Sequence, residues 1–361
     1  MTSSLPACPF VAGSMITDPQ FFVGRTEELD FITSRMAAAQ PTSINVVGKH
    51  RIGKSSLLFY FFLTYEQRVQ RYGKTPSNYM VIYLSLQGVQ CRQETSFYRA
   101  VAQELLKRPS VQANLALATP LNGGLLDRQT FSAAIDAWKS QNVLPVLCLD
   151  KFEELLENPK EFDNGFYDNL RSLMDRNALM LVMASHKRLD IYSRQHKLTS
   201  SFFNLGSVLA LGGLTEAEAM DLVRLPKTTV SGEEAALREE KQKLAIEWAG
   251  RHPYLLQLAG RCLWEARQLD RDADWARKQF EQEAQRLPQN QFHHKWWHPL
   301  RWLVWDIPVR LGSLAKFIGG TVDEVKSWIT GLVILTAMIL VVLRVVPWER
   351  VKDVFQKAMG G

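Results

Sequence analysis

Eight residues constrain this chain more than any others. Gly48-Lys49-His50-Arg51-Ile52-Gly53-Lys54-Ser55 fits G-x-x-x-x-G-K-[ST] without a gap. The run before it, Ser43 to Val47, is short and apolar, as a buried strand is. The run after it, Ser55 to Tyr65, reads as an apolar helix. A strand, a glycine-punctuated turn and a helix in that order let backbone N–H groups curl around an anion at a helix N-terminus. Lys54 would reach the β- and γ-phosphates and Ser55 would ligate Mg²⁺. Gly48, Gly53 and Ser56 complete the expected cradle, so the ligand is expected to be ATP with Mg²⁺.

Such a turn needs a sheet to stand on, and the rest of the first 212 residues supplies one. Tyr79 to Leu86, Val143 to Leu149, Ala178 to Ala184 and Val208 to Leu211 are further apolar runs. Helical stretches at Ser96 to Lys107, Gln129 to Lys139 and Phe166 to Met174 separate most of them, and Leu29, Ile32 and Met36 mark another ahead of the turn. Continuous apolar strands alternating with helices predict a parallel sheet covered on both faces. Arg108 to Leu126, with Pro109, Pro120 and Gly123-Gly124, reads mostly as loop. From Thr215 the signal turns helical. Thr215-Glu216-Ala217-Glu218 is a capping-box start, and helices follow at about 234–249, 253–268 and 273–286.

A phosphate-bound magnesium also needs an acid at the end of a neighbouring strand. The run ending at Leu149 is followed by Asp150, which takes that role. The intervening run at 79–86 leaves room for an additional strand between the two in the sheet. The fourth run ends at Ser185-His186, where a polar side chain would sense the γ-phosphate.

These residues resemble a family. Phe22-Val23-Gly24-Arg25-Thr26-Glu27-Glu28-Leu29 is similar to the FVGRxxEL box ahead of the phosphate loop in STAND and related AAA-like signalling ATPases. Leu149 to Leu155 resembles their metal-binding strand end, and Gly250-Arg251-His252-Pro253-Tyr254-Leu255-Leu256-Gln257 resembles their G-x-H-P-Y-L-L-Q motif in a helical lid. Ser201-Phe202-Phe203-Asn204 ahead of Leu214-Thr215-Glu216 is also similar to bacterial members. The resemblance spans roughly residues 20–270. It implies a P-loop NTPase fold with a helical lid, a homo-oligomer, and a nucleotide held near Val23, Gly24 and Arg25, with Pro253 touching it from the lid.

Two positions depart from that pattern. Lys151 stands where the family usually carries the acid that orients the attacking water. A charged lysine cannot accept the proton, so Glu153 or Glu154 substitutes or hydrolysis is slow. His186 stands where an arginine is common. Arg171, Arg188 and Arg194 are the candidates for an arginine offered to a neighbouring protomer. Slow hydrolysis suits a switch between two lid orientations better than a motor.

The net charge of +6 raises the question of nucleic acid, but its distribution answers it. Residues 291–361 carry 9 Lys+Arg and 5 Asp+Glu, leaving only +2 on the first 290 residues, and six of the ten tryptophans follow residue 295. Trp328 to Trp348 contains no charge before Arg344. As a helix its 20 steps cover about 30 Å, the thickness of a hydrocarbon core, with tryptophan at both interfaces. Lys295-Trp296-Trp297-His298-Pro299-Leu300-Arg301-Trp302 upstream would lie among lipid headgroups, and His293, His294 and His298 lack partners at metal-ligand spacing. The basic balance therefore points to membrane lipid and argues against a nucleic-acid partner. Cys8, Cys91, Cys148 and Cys262 are too scattered for zinc or a disulfide framework, and the N-terminus shows no signal peptide.

The expected organisation is a leader (1–20), a P-loop NTPase domain (21–212), a helical lid (213–290), a Trp-rich juxtamembrane segment (291–327), a transmembrane helix (328–348) and a tail (349–361). The ATPase domain would face the cytoplasm from a single-pass anchor in the inner membrane. The expected function is a membrane-anchored ATP switch in bacterial signalling or anti-phage defence. Alternatives are a DNA-associated ATPase that regulates transposition or replication, and a membrane adaptor with a weak nucleotide site.

Overall fold

The computed structural model describes residues 7–286, apart from 123, 125 and 226–234. The Trp-rich stretch 291–327, the expected span 328–348 and the tail 349–361 lie outside the described residues. Among the described residues no helix is long and apolar enough to cross a membrane.

Five strands form one parallel sheet: β1 (Ile44–Gly48), β2 (Tyr79–Ser85), β3 (Leu144–Asp150), β4 (Met180–Ser185) and β5 (Ser207–Leu211). Their spatial order is β2-β3-β4-β1-β5. The room between the P-loop strand and the Asp150 strand is filled by β4, which pairs Val182 with Ile44 on one side and Val146 with Met180 on the other. The fourth strand in sequence is thus the insert, and β2 lies at the edge.

Side-chain parity sorts each strand between two cores. Val146 and Cys148 face one layer, together with Ile44, Val46, Val182 and Ala184. Leu147 and Leu149 face the other, with Ile82, Leu84, Leu181 and Met183. Helices α1 (Thr26–Met36) and α2 (Lys54–Arg71) cover the first face through Leu29, Ile32, Leu57, Leu58 and Phe61. Helices α3 (Glu94–Leu106), α4 (Arg128–Ser140) and α5 (Asn164–Asp175) cover the second through an aromatic cluster that includes Phe97, Tyr98, Phe131, Trp138 and Phe166. Helix α2 runs six residues beyond the expected end at Tyr65, because Val69 continues its buried stripe. Helix α6 (Leu189–His196) follows β4; its two turns are too short to show a period in the sequence.

Residues 108–122 are more helical than their prolines suggest. They contain helical turns at Pro109–Gln112, Leu115–Ala118 and Thr119–Leu121. Pro109 sits in a first helical turn, and the Asn114 side chain caps the second turn by accepting from Ala116 N at 3.0 Å. Val111, Leu117 and Leu121 are buried, and Trp138 Nε1 donates to Leu117 O at 2.9 Å.

Where the sequence predicts a lid, four helices follow the sheet: α7 (Glu216–Val223), α8 (Glu239–Ala249), α9 (Pro253–Gln268) and α10 (Ala273–Ala284). Thr215 and Glu218 form the anticipated capping box at the start of α7. Glu218 also accepts from the backbone N–H of Arg25, so one carboxylate joins the FVGR box to the lid. Gly24 packs directly on it at φ +74, where a Cβ would lie 2.7 Å from the Glu218 side chain. Burial pulls the Glu218 carboxyl up. The N–H groups of Thr215 and Arg25 outweigh that and hold it below its ordinary value of 4.5. A depressed carboxylate stabilises the fold above its unfolded pKa and loses that contribution as pH falls through its folded pKa. Acid titration monitored by circular dichroism should show wild type losing stability below about pH 4.5, with a shallower loss in Glu218→Gln.

Asn45 is the polar pin of the sheet. Buried in β1, it donates to Met183 O at 3.2 Å and Ser185 Oγ at 2.8 Å, and accepts from Leu189 N at 3.2 Å. Asn45→Val should lower unfolding free energy by about 2 kcal/mol in urea denaturation, because it strands buried groups on β4 and α6.

Candidate functional site

The carboxyl ends of β1, β3 and β4 meet the first turn of α2, the leader and the lid around a cavity of about 750 Å³. That size lies within the range of small-ligand pockets. Its floor is the turn between Gly48 and Ser55. Gly53 holds φ +98 and Arg51 φ +58. A Cβ on Gly48 would lie 2.9 Å from Ile52 Cγ2 and 3.1 Å from Leu211 O, so a side chain there would push the loop off β5.

Lys54 is buried and donates to Gly48 O at 2.8 Å and Lys49 O at 3.1 Å. Burial lowers its pKa, while Glu153 and Asp150 oppose that shift. Asp150 is buried opposite, where Oδ2 accepts from Tyr83 Oη at 3.0 Å. Burial, then the Asp150 charge, push the Tyr83 phenol well above its ordinary pKa, so it remains a donor. Ser55 and Asp150 line the same cavity. Among the described residues no group of three or more His, Cys, Asp or Glu would hold a metal unaided. A hydroxyl and one carboxylate instead suit Mg²⁺ that arrives on phosphate oxygens.

Glu153, Glu154 and His186 also line the cavity. Glu153 Oε1 pairs with His186 Nδ1. Glu154 lies towards β2, where it accepts from Gln87 Nε2 at 3.3 Å. Lys151 holds φ +58 and its ammonium donates to Gln87 Oε1. The Ser185 hydroxyl is taken up by Asn45 and by Lys187 O at 2.6 Å, leaving His186 as the residue of this pair that lines the cavity.

Val23, Arg25, Gly53, Lys54, Ser55, Ser56 and Pro253 line the cavity as well, whereas Gly24 and Gly48 support it from behind. Arg25 is a brace: its guanidinium donates to Glu28 and Gly212 O at 2.6 Å each, and to Ile52 O at 3.4 Å. It therefore ties the FVGR box to the phosphate loop and to the start of the lid. Ser56 Oγ accepts from Ile16 N at 3.1 Å. Arg171, Arg188 and Arg194 lie outside the cavity lining, paired with Asp175, Asp190 and Asp190.

Several participants were not anticipated. His50 stacks on His186 with ring centroids 5.6 Å apart. Burial, then His186 and the surrounding cations, lower the pKa of His50. Arg51 lies 4.4 Å over the Tyr254 ring, joining the phosphate loop to the lid through a cation–π contact. The leader forms a wall: Val11, Gly13, Ser14, Met15 and Ile16 line the cavity. Val11 N donates to Gln257 Oε1 at 2.9 Å, and Phe10 packs so tightly on Gly260 that a Cβ there would lie 2.4 Å from its ring. Tyr83 was detectable in principle. Strand parity puts it on the same face as Ser85, whose register partner is Asp150. The leader contacts have no such signal.

Two residues of the lining also carry a buried side-chain atom without a partner, Glu153 Oε2 and Gln257 Nε2. Such atoms are costly unless a ligand or water meets them. The glycine turn, Lys54 and the Ser55/Asp150 pair fit a site for a magnesium-bound nucleotide.

The sheet order, glycine turn and acid-ended strand define a P-loop NTPase. Residues 15–284 match the family model described as Novel STAND NTPase 1, and the chain belongs to that family. No functionally curated protein matches it in sequence. Its fold is similar to the ORC2 protein of Aeropyrum pernix with ADPNP and ADP, at 14% identity and TM-score 0.57, covering 90% of this chain and 82% of that one. It is also similar to the Walker-type ATPase paby2304 of Pyrococcus abyssi, at 14% identity and TM-score 0.54, covering 88% and 91%.

Lys54→Ala removes the buried cation facing Asp150 and Glu153. Calorimetric titration with Mg-ATP should show affinity reduced by about 100-fold or more, with the fold intact by circular dichroism.

Proposed function

We propose that this chain is an ATP-controlled switch whose readout is a membrane effector at its C-terminus. ATP and Mg²⁺ occupy the cavity between the sheet and the lid. The exchange of ADP for ATP biases the lid between two orientations, and the 20–290 region then self-associates and rearranges the C-terminal segment. The ATPase part faces the cytoplasm, and Trp328 to Trp348 anchors it in the inner membrane. Bacterial signalling or anti-phage defence is the setting in which such a coupling is useful.

The observation that carries this reading is the composition of the cavity wall. Pro253, Tyr254 and Gln257 from one lid helix share it with Lys54, Ser55 and Asp150 from the core. A ligand there touches both bodies, so its phosphate content has a direct route to the lid angle. The placement of Lys151 after Asp150 supports slow hydrolysis and a long-lived ATP state. The charge distribution supports lipid as the partner: the first 290 residues carry only +2, while the uncharged stretch before Arg344 lies between two tryptophans.

Full-length protein reconstituted with anionic liposomes should change its oligomeric state, read by light scattering and crosslinking, on addition of Mg-ATP but not Mg-ADP. Lys54→Ala should remain in the ADP-like state. An assembly state indifferent to nucleotide would count against the switch, and full extraction from the vesicles by salt would count against the anchor.

A further inference from the structure

We infer that the N-terminal leader is the gate through which nucleotide enters and leaves: a strap pinned to α9 by Phe10 and to α2 by Ser56, whose release sets the rate of exchange. This rests on the nucleotide reading above and adds a control on the switch that is separate from hydrolysis.

The walls of the cavity differ in how much structure stands behind them. The phosphate turn and the ends of β1, β3 and β4 belong to a sheet packed on both faces. Pro253, Tyr254 and Gln257 stand on α9, a helix of 16 residues. Residues 7–17 form no helix or strand, yet Val11, Gly13, Ser14, Met15 and Ile16 complete the lining. A wall with no hydrogen-bond ladder of its own opens at lower cost than a helix or a sheet, which must break many bonds together.

The strap is fastened at both ends. Phe10 is only 4% exposed, and its ring lies over Gly260 of α9, where a Cβ would come within 2.4 Å of it. Glycine in a helix interior is less favourable than alanine, and here the missing methyl is the space that the ring fills. Val11 N donates to Gln257 Oε1 at 2.9 Å, three residues earlier on the same helix. At the other end Ile16 N donates to Ser56 Oγ at 3.1 Å, in the first turn of α2. Met15 Sδ lies 3.3 Å from Tyr83 Oη, the hydroxyl that holds Asp150. Between the two ends Gly13 and Ser14 are exposed. Gly13 bends the chain at φ +107, a conformation that other residues rarely adopt.

Lifting the Phe10 end about that bend uncovers the cavity without unwinding α9 or touching the sheet. Entry and exit by one route share one barrier. Loosening the strap therefore speeds both by the same factor and leaves Kd nearly unchanged. A leader that only added contacts to bound nucleotide would behave differently. Its loss would raise the release rate and Kd together and leave association as it was.

The test uses the full chain and Mg-mant-ADP, a fluorescent ADP, in stopped flow. Association is followed over a range of concentrations, and release is followed into excess unlabelled Mg-ADP. Phe10→Ala should raise both rate constants about 10-fold and keep Kd within about threefold of wild type. Gly260→Ala should do the same from the other side of the contact. Because alanine favours the helix, this variant keeps its helical circular dichroism even where removal of the Phe10 ring costs stability. The double variant should be no faster than either single one, since both remove the same contact. Wild-type rates in both single variants overturn the gate. So does faster release with unchanged association and a matching rise in Kd, and so does acceleration that multiplies in the double variant. Wild type that binds no Mg-mant-ADP instead overturns the nucleotide reading itself.

Discussion

The turn from Gly48 to Ser55 holds this site together, and each of its side chains that reaches outward meets a different part of the molecule. His50 stacks on the end of β4 through His186, Arg51 lies over Tyr254 of the lid, and Lys54 faces Asp150 and Glu153. Ile52 O accepts from Arg25, which braces the FVGR box and Gly212 at the root of the lid. Gly53 at φ +98 and Gly48 pressed against Leu211 permit this path. Nucleotide phosphates would bind in the concave side of the same turn. On the proposed switch, their arrival would act on contacts to the sheet, the lid and the box at once.

Two further ties decide how freely the lid responds. Glu218 accepts from Thr215 and Arg25, so the first lid helix is docked on the FVGR box. The leader crosses from Ser56 on α2 to Gln257 and Gly260 on α9, adding a strap outside the conventional core-and-lid pair. Each contact is modest, since single hydrogen bonds and exposed cation–π pairs contribute about 1 kcal/mol. On the proposed switch, contacts this weak would let a ligand choose between two lid positions.

Much of this was legible in the sequence. The strands were readable because buried parallel strands are continuous apolar runs, and Ser43 to Val47 and Val143 to Leu149 fall within a residue or two of β1 and β3. The phosphate loop and the Thr215 cap were readable because their chemistry is local and needs particular residues at fixed spacing. Spatial order was not: β4 separates β1 from β3 by tertiary packing that no strand encodes alone. The turns within 108–126 were hidden because Pro109 and Pro120 start helical turns here rather than ending them. The Glu153–His186 pair and the Val11–Gln257 bond join residues 33 and 246 positions apart, and no periodicity reports such contacts.

On the proposed switch, nucleotide content sets the position of the lid relative to the sheet. Leu63 on α2 and Leu269 at the end of α9 are exposed at 43% and 59% and can carry spin labels without disturbing a core. Pulsed dipolar spectroscopy of this labelled pair measures the lid position directly. The account predicts distinct distance distributions with Mg-ADP and Mg-AMPPNP, collapsing to one in Lys54→Ala. Identical distributions with both nucleotides, each shown to be bound, would contradict it.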